Sequence, residues 1–164
     1  MNHMTTDPNP QPRVLITGAS SGIGLAAARQ LAASGAEVIM VSRDLSRGTA
    51  ARDQVATVAT GREPIFLPAD LSSQESIRDL AKRLHDRFDT IDALIINAGT
   101  ASRRRRLTVD GIELTFATNH LAPFLLTHLA IDLLRAAPAP RIVSPPTASH
   151  QDRPRPVSAA ARAA

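Results

Sequence analysis

The chain has 164 residues, is 43% apolar, and sets 19 Lys and Arg against 15 Asp and Glu, for a formal net charge of +4. That much apolar chain excludes an intrinsically disordered protein, and no apolar run reaches the ~18 residues of a membrane span. The absence of cysteine excludes a disulfide framework and a thiolate metal site, and a cytoplasmic location is expected. A basic balance suits phosphate-bearing partners. With neither tyrosine nor tryptophan present, an aromatic stacking platform for nucleic acid is disfavoured.

Residues 1–12, MNHMTTDPNPQP, lack a charged-then-apolar signal and read as a flexible leader. The first strand is Val14-Leu15-Ile16-Thr17, followed by a glycine-rich turn and an alanine- and leucine-rich helix at 23–33. A second strand at 37–42 precedes a helix at 45–58. A third strand at 65–69 precedes a helix at 73–88, whose first residues Ser73, Gln74 and Glu75 suit capping. The run DALIIN at 92–97 makes a fourth strand, 111–136 a long helix, and Arg141-Ile142-Val143 a fifth strand. Strands apolar throughout and separated by helices predict a parallel sheet covered on both faces. Right-handed crossovers then give an α/β, Rossmann-type doubly wound sheet over residues 13–143, incomplete on its C-terminal side. From about Pro138 the composition changes: six of the twelve prolines fall between there and Pro156. Residues 144–164 read as a disordered tail rich in Pro, Arg and Ala.

The turn Thr17-Gly18-Ala19-Ser20-Ser21-Gly22-Ile23-Gly24 stands between a strand and a helix. Gly18 lets the chain leave the strand tightly, Gly22 lets backbone approach a pyrophosphate, and Gly24 allows close helix packing. The following helix start offers free amides to phosphates, with Ser20, Ser21 and Ile23 beside them. A glycine triplet by itself fits a plain tight turn, and its strand-turn-helix setting favours nucleotide binding. At the end of the second strand stands Ser42-Arg43 where a carboxylate would select NAD. A hydroxyl and a guanidinium suit a 2′-phosphate instead, so NADP(H) is favoured over NAD(H); otherwise Arg43 is a solvated loop residue. Arg103-Arg104-Arg105-Arg106 fits either a phosphate patch or, preferably, a solvated loop with some capacity to steer anions. His85, His120, His128 and His150 show no metal-ligand spacing, and no metal site is expected.

These motifs resemble the short-chain dehydrogenase/reductase family. TGxxxGxG is its cofactor signature, Asp70-Leu71 matches its adenine-binding position, and Asn97-Ala98-Gly99 its fourth-strand motif. TNHLAPFLLT at 118–127 looks like the family's helix, most like the retinol-dehydrogenase-like branch, with Asn119 at the active-site asparagine. The resemblance spans residues 13–143. It implies hydride transfer between NADP(H) and an alcohol or carbonyl substrate, and pairing of two copies through the helix at 111–136.

The resemblance also implies a tyrosine that moves the substrate proton, a lysine four residues later that lowers its pKa, and a serine on the fifth strand. Aligned without a gap, Thr147 takes the serine position. No tyrosine exists in the chain, and Lys82, the single lysine, lies far upstream. The chain as it stands is therefore expected to be inactive. Arg, Pro, Ala and Ser have GC-rich codons, so residues 144–164 read as a frameshifted or truncated end, against a genuine short chain with a disordered tail. The alternative function is a non-catalytic nucleotide-binding or scaffold protein.

Overall fold

The computed structural model describes residues 11–144; the leader up to residue 10, Thr147 and the tail lie outside the described residues. The first strand, β1 (Arg13–Thr17), leads into α1 (Gly22–Ala33), and β2 (Glu37–Ser42) into α2 (Leu45–Ala56). Next come β3 (Ile65–Pro68), α3 (Gln74–Arg87) and β4 (Ala93–Ile95). A short α4 (Leu114–Phe116) runs through a π-helical turn at 117–121 into α5 (Ala122–Leu129), then α6 (Ile131–Arg135) and β5 (Arg141–Val143).

All five strands are parallel, in the order β3-β2-β1-β4-β5. The chain winds outward from β1 twice, so the carboxyl ends of β1 and β4 diverge into a crevice, where doubly wound sheets place their ligands.

Alternation along the strands builds two core layers. Leu15, Ile39, Val41 and Leu94 face one way and pack with Ile77, Leu80 and Leu84 of α3 and with Leu126, Leu133 and Leu134 of α5 and α6. Val14, Ile16, Val38 and Met40 face the other way, against Ala28 and Ala32 of α1 and Ala51 and Val55 of α2. Alanines at this contact bring α1 and α2 close to the sheet. Ser73 caps α3 by accepting the Ser76 N–H at 3.3 Å.

At the amino end of the sheet, Glu37 is buried and pairs with Arg13 at 2.7 Å and with Arg62 at 3.4 Å. The Arg13 guanidinium also donates to the Thr90 carbonyl at 2.8 Å and lies 4.6 Å from the Phe88 ring centroid. Those contacts satisfy a charge that burial alone would penalise.

The long helix expected at 111–136 differs from the one observed. Residues 107–113 form a small hairpin, held by a Leu107–Glu113 antiparallel bridge and a Thr108 N–H to Ile112 carbonyl bond of 2.8 Å. Helix begins only at Leu114, where Glu113 caps it by accepting the Phe116 N–H at 2.8 Å. Pro123 then lacks the N–H that would bond the Asn119 carbonyl, and the backbone widens into the π turn there.

β5 also departs from an ordinary parallel strand. Among the described residues it pairs only with β4, and all three of its residues are exposed, with Ile142 at 48% and Val143 at 47%.

Candidate functional site

A cleft of about 520 Å³ lies at the carboxyl ends of the strands. Gly18, Ser20 and Ser21 of the first turn form part of its wall. Ser42, Arg43, Asp44 and Arg47 come from beyond β2, and Asp70, Leu71 and Ser72 from beyond β3. Asn97, Ala98, Gly99 and Thr100 follow β4, joined by Arg106, Leu114 and Thr118. Eleven residues singled out in the sequence therefore meet at one place: Gly18, Ser20, Ser21, Ser42, Arg43, Asp70, Leu71, Asn97, Ala98, Gly99 and Arg106. Gly22, Ile23 and Gly24 do not line the cleft; they make the first turn of α1 beside it, where backbone N–H groups lack intrahelical partners by position.

The glycine spacing has a steric cause. A Cβ on Gly24 would collide with the Gly18 carbonyl oxygen and the Asn97 amide, and one on Gly18 would sit 2.9 Å from the Ala98 Cα. Gly22 adopts φ +55° with nothing within 4 Å of where a Cβ would stand. Its backbone faces open space, as close approach of a phosphate requires.

Asn97 acts on the turn. Its Nδ2 donates to the Thr17 and Gly18 carbonyls at 3.1 and 3.2 Å. The Thr17 hydroxyl, buried, accepts the backbone N–H groups of Asn97 and Ala98 at 3.0 and 3.1 Å and donates to the Ile95 carbonyl at 3.3 Å. Thr17 was not singled out as a site residue. It fastens the β1 turn to the β4 turn, so both walls of the crevice hold one geometry.

Asp70 closes an Asx turn: its Oδ1 accepts from the Ser72 N–H and hydroxyl at 2.9 and 2.7 Å. Its Oδ2 accepts no hydrogen bond among the described residues. After β2, Asp44 follows Arg43 directly in the chain, and its carboxylate is committed elsewhere. It caps α2 by accepting the Arg47 N–H at 2.8 Å and pairs with the Arg47 guanidinium at 3.2 Å. The Arg47 backbone N–H holds the Asp44 carboxyl below its ordinary value of 3.8. Beside it the buried Ser42 hydroxyl has no hydrogen-bond partner among the described residues. A buried polar atom left unpaired is costly, and one on a cleft wall fits a ligand that completes it.

Asn119 lies outside this cleft and borders a neighbouring open groove with Pro123, Phe124, Thr127 and His128. Both polar ends of its amide are engaged: Oδ1 accepts the Thr100 N–H and Nδ2 donates to the Thr100 carbonyl, each at 2.8 Å. The side chain thus clamps the segment after β4. His120 stacks on Phe116 at 5.1 Å and His128 on Phe124 at 6.3 Å between ring centroids. The arginine run divides. All four arginines are exposed, as expected of a solvated loop, and Arg106 alone of them lines the cleft. Among the described residues no helix is long and apolar enough to cross a membrane.

The family model for short chain dehydrogenase matches residues 12–153. A Streptomyces sp. (strain C5) protein assigned as a daunorubicin C-13 ketoreductase is 45% identical over 73% of this chain and 42% of its own length. Human retinol dehydrogenase 13 is 35% identical over 86% of this chain and 43% of its own. The crystal structure of a metagenomic short-chain oxidoreductase in complex with NADP superposes with a TM-score of 0.70 at 28% identity, covering 81% of this chain and 61% of that one. An NADH-dependent reductase complexed with NAD gives 0.68 at 29% identity, over 82% of this chain and 58% of that one. The chain spans about two fifths of the length of these two curated relatives. Its fold, its glycine turn and these likenesses agree: the chain belongs to the short chain dehydrogenase family, in the retinol-dehydrogenase-like branch.

Proposed function

We propose that residues 13–143 bind a nicotinamide dinucleotide in this cleft, with NADP(H) preferred over NAD(H). The observation that carries the reading is the end of β2, where an exposed guanidinium and a buried hydroxyl without a partner among the described residues line the cleft while the carboxylate that follows, Asp44, is spent on capping a helix. A free carboxylate there would accept from ribose hydroxyls and repel a 2′-phosphate. Arg43 and Ser42 donate to a phosphate instead.

When bound, such a cofactor supplies or accepts a hydride. This chain's residues bind and orient it. Amides at the first turn of α1 and the Ser20 and Ser21 side of the turn receive the diphosphate, Arg43 the 2′-phosphate, and the spare Oδ2 of Asp70 the adenine amino group. Asn97 and Thr17 keep the two turns in register. Asn119 holds the Thr100 segment beneath the reacting end of the site.

The substrate reading is a small alcohol or carbonyl compound, supported by the relatives' names as ketoreductase and retinol dehydrogenase. The reading for these 164 residues is cofactor binding without hydride transfer. The chain contains no tyrosine, and its one lysine, Lys82, is exposed on α3, remote from the cleft. The tyrosine and nearby lysine that the family resemblance implies for moving the substrate proton are therefore not in these residues.

The test is titration of the purified chain with NADPH and NADH, followed by nicotinamide fluorescence, and then an assay for hydride transfer to a panel of aldehydes and ketones. Tighter binding of NADPH without turnover is expected. Absence of binding to either nucleotide sinks the cofactor reading, and turnover sinks the non-catalytic one.

A second reading, a scaffold that pairs with another copy through residues 114–135, has one observation in its favour: Phe116 and Phe124 stand 51% and 70% exposed on that stretch. Sedimentation equilibrium of wild type and Phe124→Ser separates the two. A dimer that the substitution splits supports pairing, and a wild-type monomer rejects it.

A further inference from the structure

We propose that Arg106 is a second cofactor-binding arginine, which contacts the diphosphate of the dinucleotide from the side of the cleft opposite Arg43. The proposal rests on the cofactor reading above and adds to it a residue from the arginine run.

Topology sets the two arginines apart. β2 and β4 flank β1 on opposite sides, Arg43 follows β2, and Arg106 belongs to the segment after β4. The glycine turn at the end of β1 therefore lies between them. A diphosphate over the glycine turn would lie between the two arginines, with the 2′-phosphate on the Arg43 side.

The backbone beneath Arg106 is held in place. Its carbonyl accepts the Leu114 N–H at 2.9 Å, and the adjoining 107–113 hairpin closes through its own backbone bonds. At the hairpin tip Asp110 Oδ2 accepts the Gln74 N–H at 2.9 Å, which ties it to the start of α3. Arg106 is the one member of its run that faces the cleft. Its charge is also free. Glu113, close in sequence, spends its carboxylate on the Phe116 N–H, and Arg106 forms no ion pair among the described residues. A guanidinium on an anchored backbone, open to a cleft and without a carboxylate partner, is suited to bridging phosphate oxygens.

The division of labour follows from the chemistry. Both NADPH and NADH carry the diphosphate, so Arg106 raises affinity for both, while Arg43 distinguishes them. Because the hairpin bond uses the Arg106 backbone carbonyl, a side-chain substitution removes the guanidinium and leaves that bond in place.

The experiment is calorimetric titration of the full chain and its variants with NADPH, NADH and adenosine 2′-monophosphate, which carries the 2′-phosphate and no 5′-phosphate. Arg106→Gln is expected to weaken NADPH and NADH equally, by about five- to tenfold for one charge-assisted contact. The monophosphate should bind wild type and variant alike. Arg106→Lys should recover most of the loss, and Arg104→Gln should change nothing. Arg43→Gln should weaken NADPH and the monophosphate while sparing NADH. Unchanged NADH affinity in Arg106→Gln overturns the proposal, as does a loss confined to NADPH, which would put Arg106 at the 2′-phosphate. A wild-type chain that binds neither dinucleotide removes the cofactor reading itself, and this inference with it.

Discussion

β2 and β5 are both short apolar parallel strands, and the fold treats them oppositely. All six residues of β2 are buried, between β1 and β3 and under helices on both faces; all three of β5 are exposed, with β4 as the single neighbour among the described residues. An apolar run reports that a strand is fit for burial. Its neighbours decide whether burial occurs. The half of the sheet that carries the glycine turn and Arg43 is closed, and the half that carries Asn119 and β5 is open. Residues that line the cleft accordingly sit on fixed supports, while Ile142 and Val143 stand exposed on a strand that is the sheet's edge among the described residues.

That contrast is broken most severely inside the closed half. Ile39→Ala, at a fully buried position of β2, should cost about 2–5 kcal/mol, measured by equilibrium urea unfolding. Ile142→Ala on β5 should cost less than about 1 kcal/mol in the same experiment, because its side chain is already half in water. Equal losses would mean that β5 is covered in solution. Next comes Glu37→Ala, which strips the buried partner from Arg13 at the closed end of the sheet. About 2–3 kcal/mol is expected, below the ~3–5 of a fully buried pair, because Arg13 keeps the Thr90 carbonyl and the Phe88 ring.

Gly24→Ala targets the seam between the two halves. Its new methyl would meet the Gly18 carbonyl and the Asn97 amide, so the β1 and β4 turns must part. NADPH affinity should fall by more than about tenfold, with about 1–3 kcal/mol of stability lost to overpacking. Binding at wild-type strength would mean that the two turns need not touch. A smaller effect, about 1 kcal/mol, is expected of Ser73→Ala, which removes the α3 cap.

The least costly perturbation is acid. The Asp44 carboxyl titrates below 3.8 in the folded chain, held there by the Arg47 backbone N–H. Its contribution is therefore complete above that value and is lost as pH falls through the folded pKa. Asp44→Asn keeps the cap and removes the charge. A plot of Tm against pH should lose a small part of its acid slope in that variant, and an unchanged slope would mean that the cap does not respond to the charge.

Much of the closed half was legible in the sequence. Continuous apolar runs marked β1 and β2, and the glycine spacing marked the turn between β1 and α1, because the steric demands there act over a few residues. Asp70, Asn97 and Arg43 were found as parts of local motifs. What they do was less legible. Asn97 lines the cleft, and its amide also donates to the Thr17 and Gly18 carbonyls, a role the motif alone does not reveal. Thr17 was passed over because its role depends on a strand nearly eighty residues away. A single proline in an otherwise helical stretch was the signal for the π turn at 117–121, and the end of the 107–113 hairpin was hidden by treating Gly111 as the start of a helix. Arg106 could not be separated from its three neighbours by composition; only the hairpin that anchors it turns it toward the cleft.

The most direct measurement is the ratio of NADPH to NADH affinity in wild type and in Arg43→Gln. A cleft that reads the 2′-phosphate through Arg43 gives a wild-type ratio of about ten or more in favour of NADPH, collapsing toward one in the variant. A wild type that binds both nucleotides equally, or a variant that keeps the preference, would contradict it.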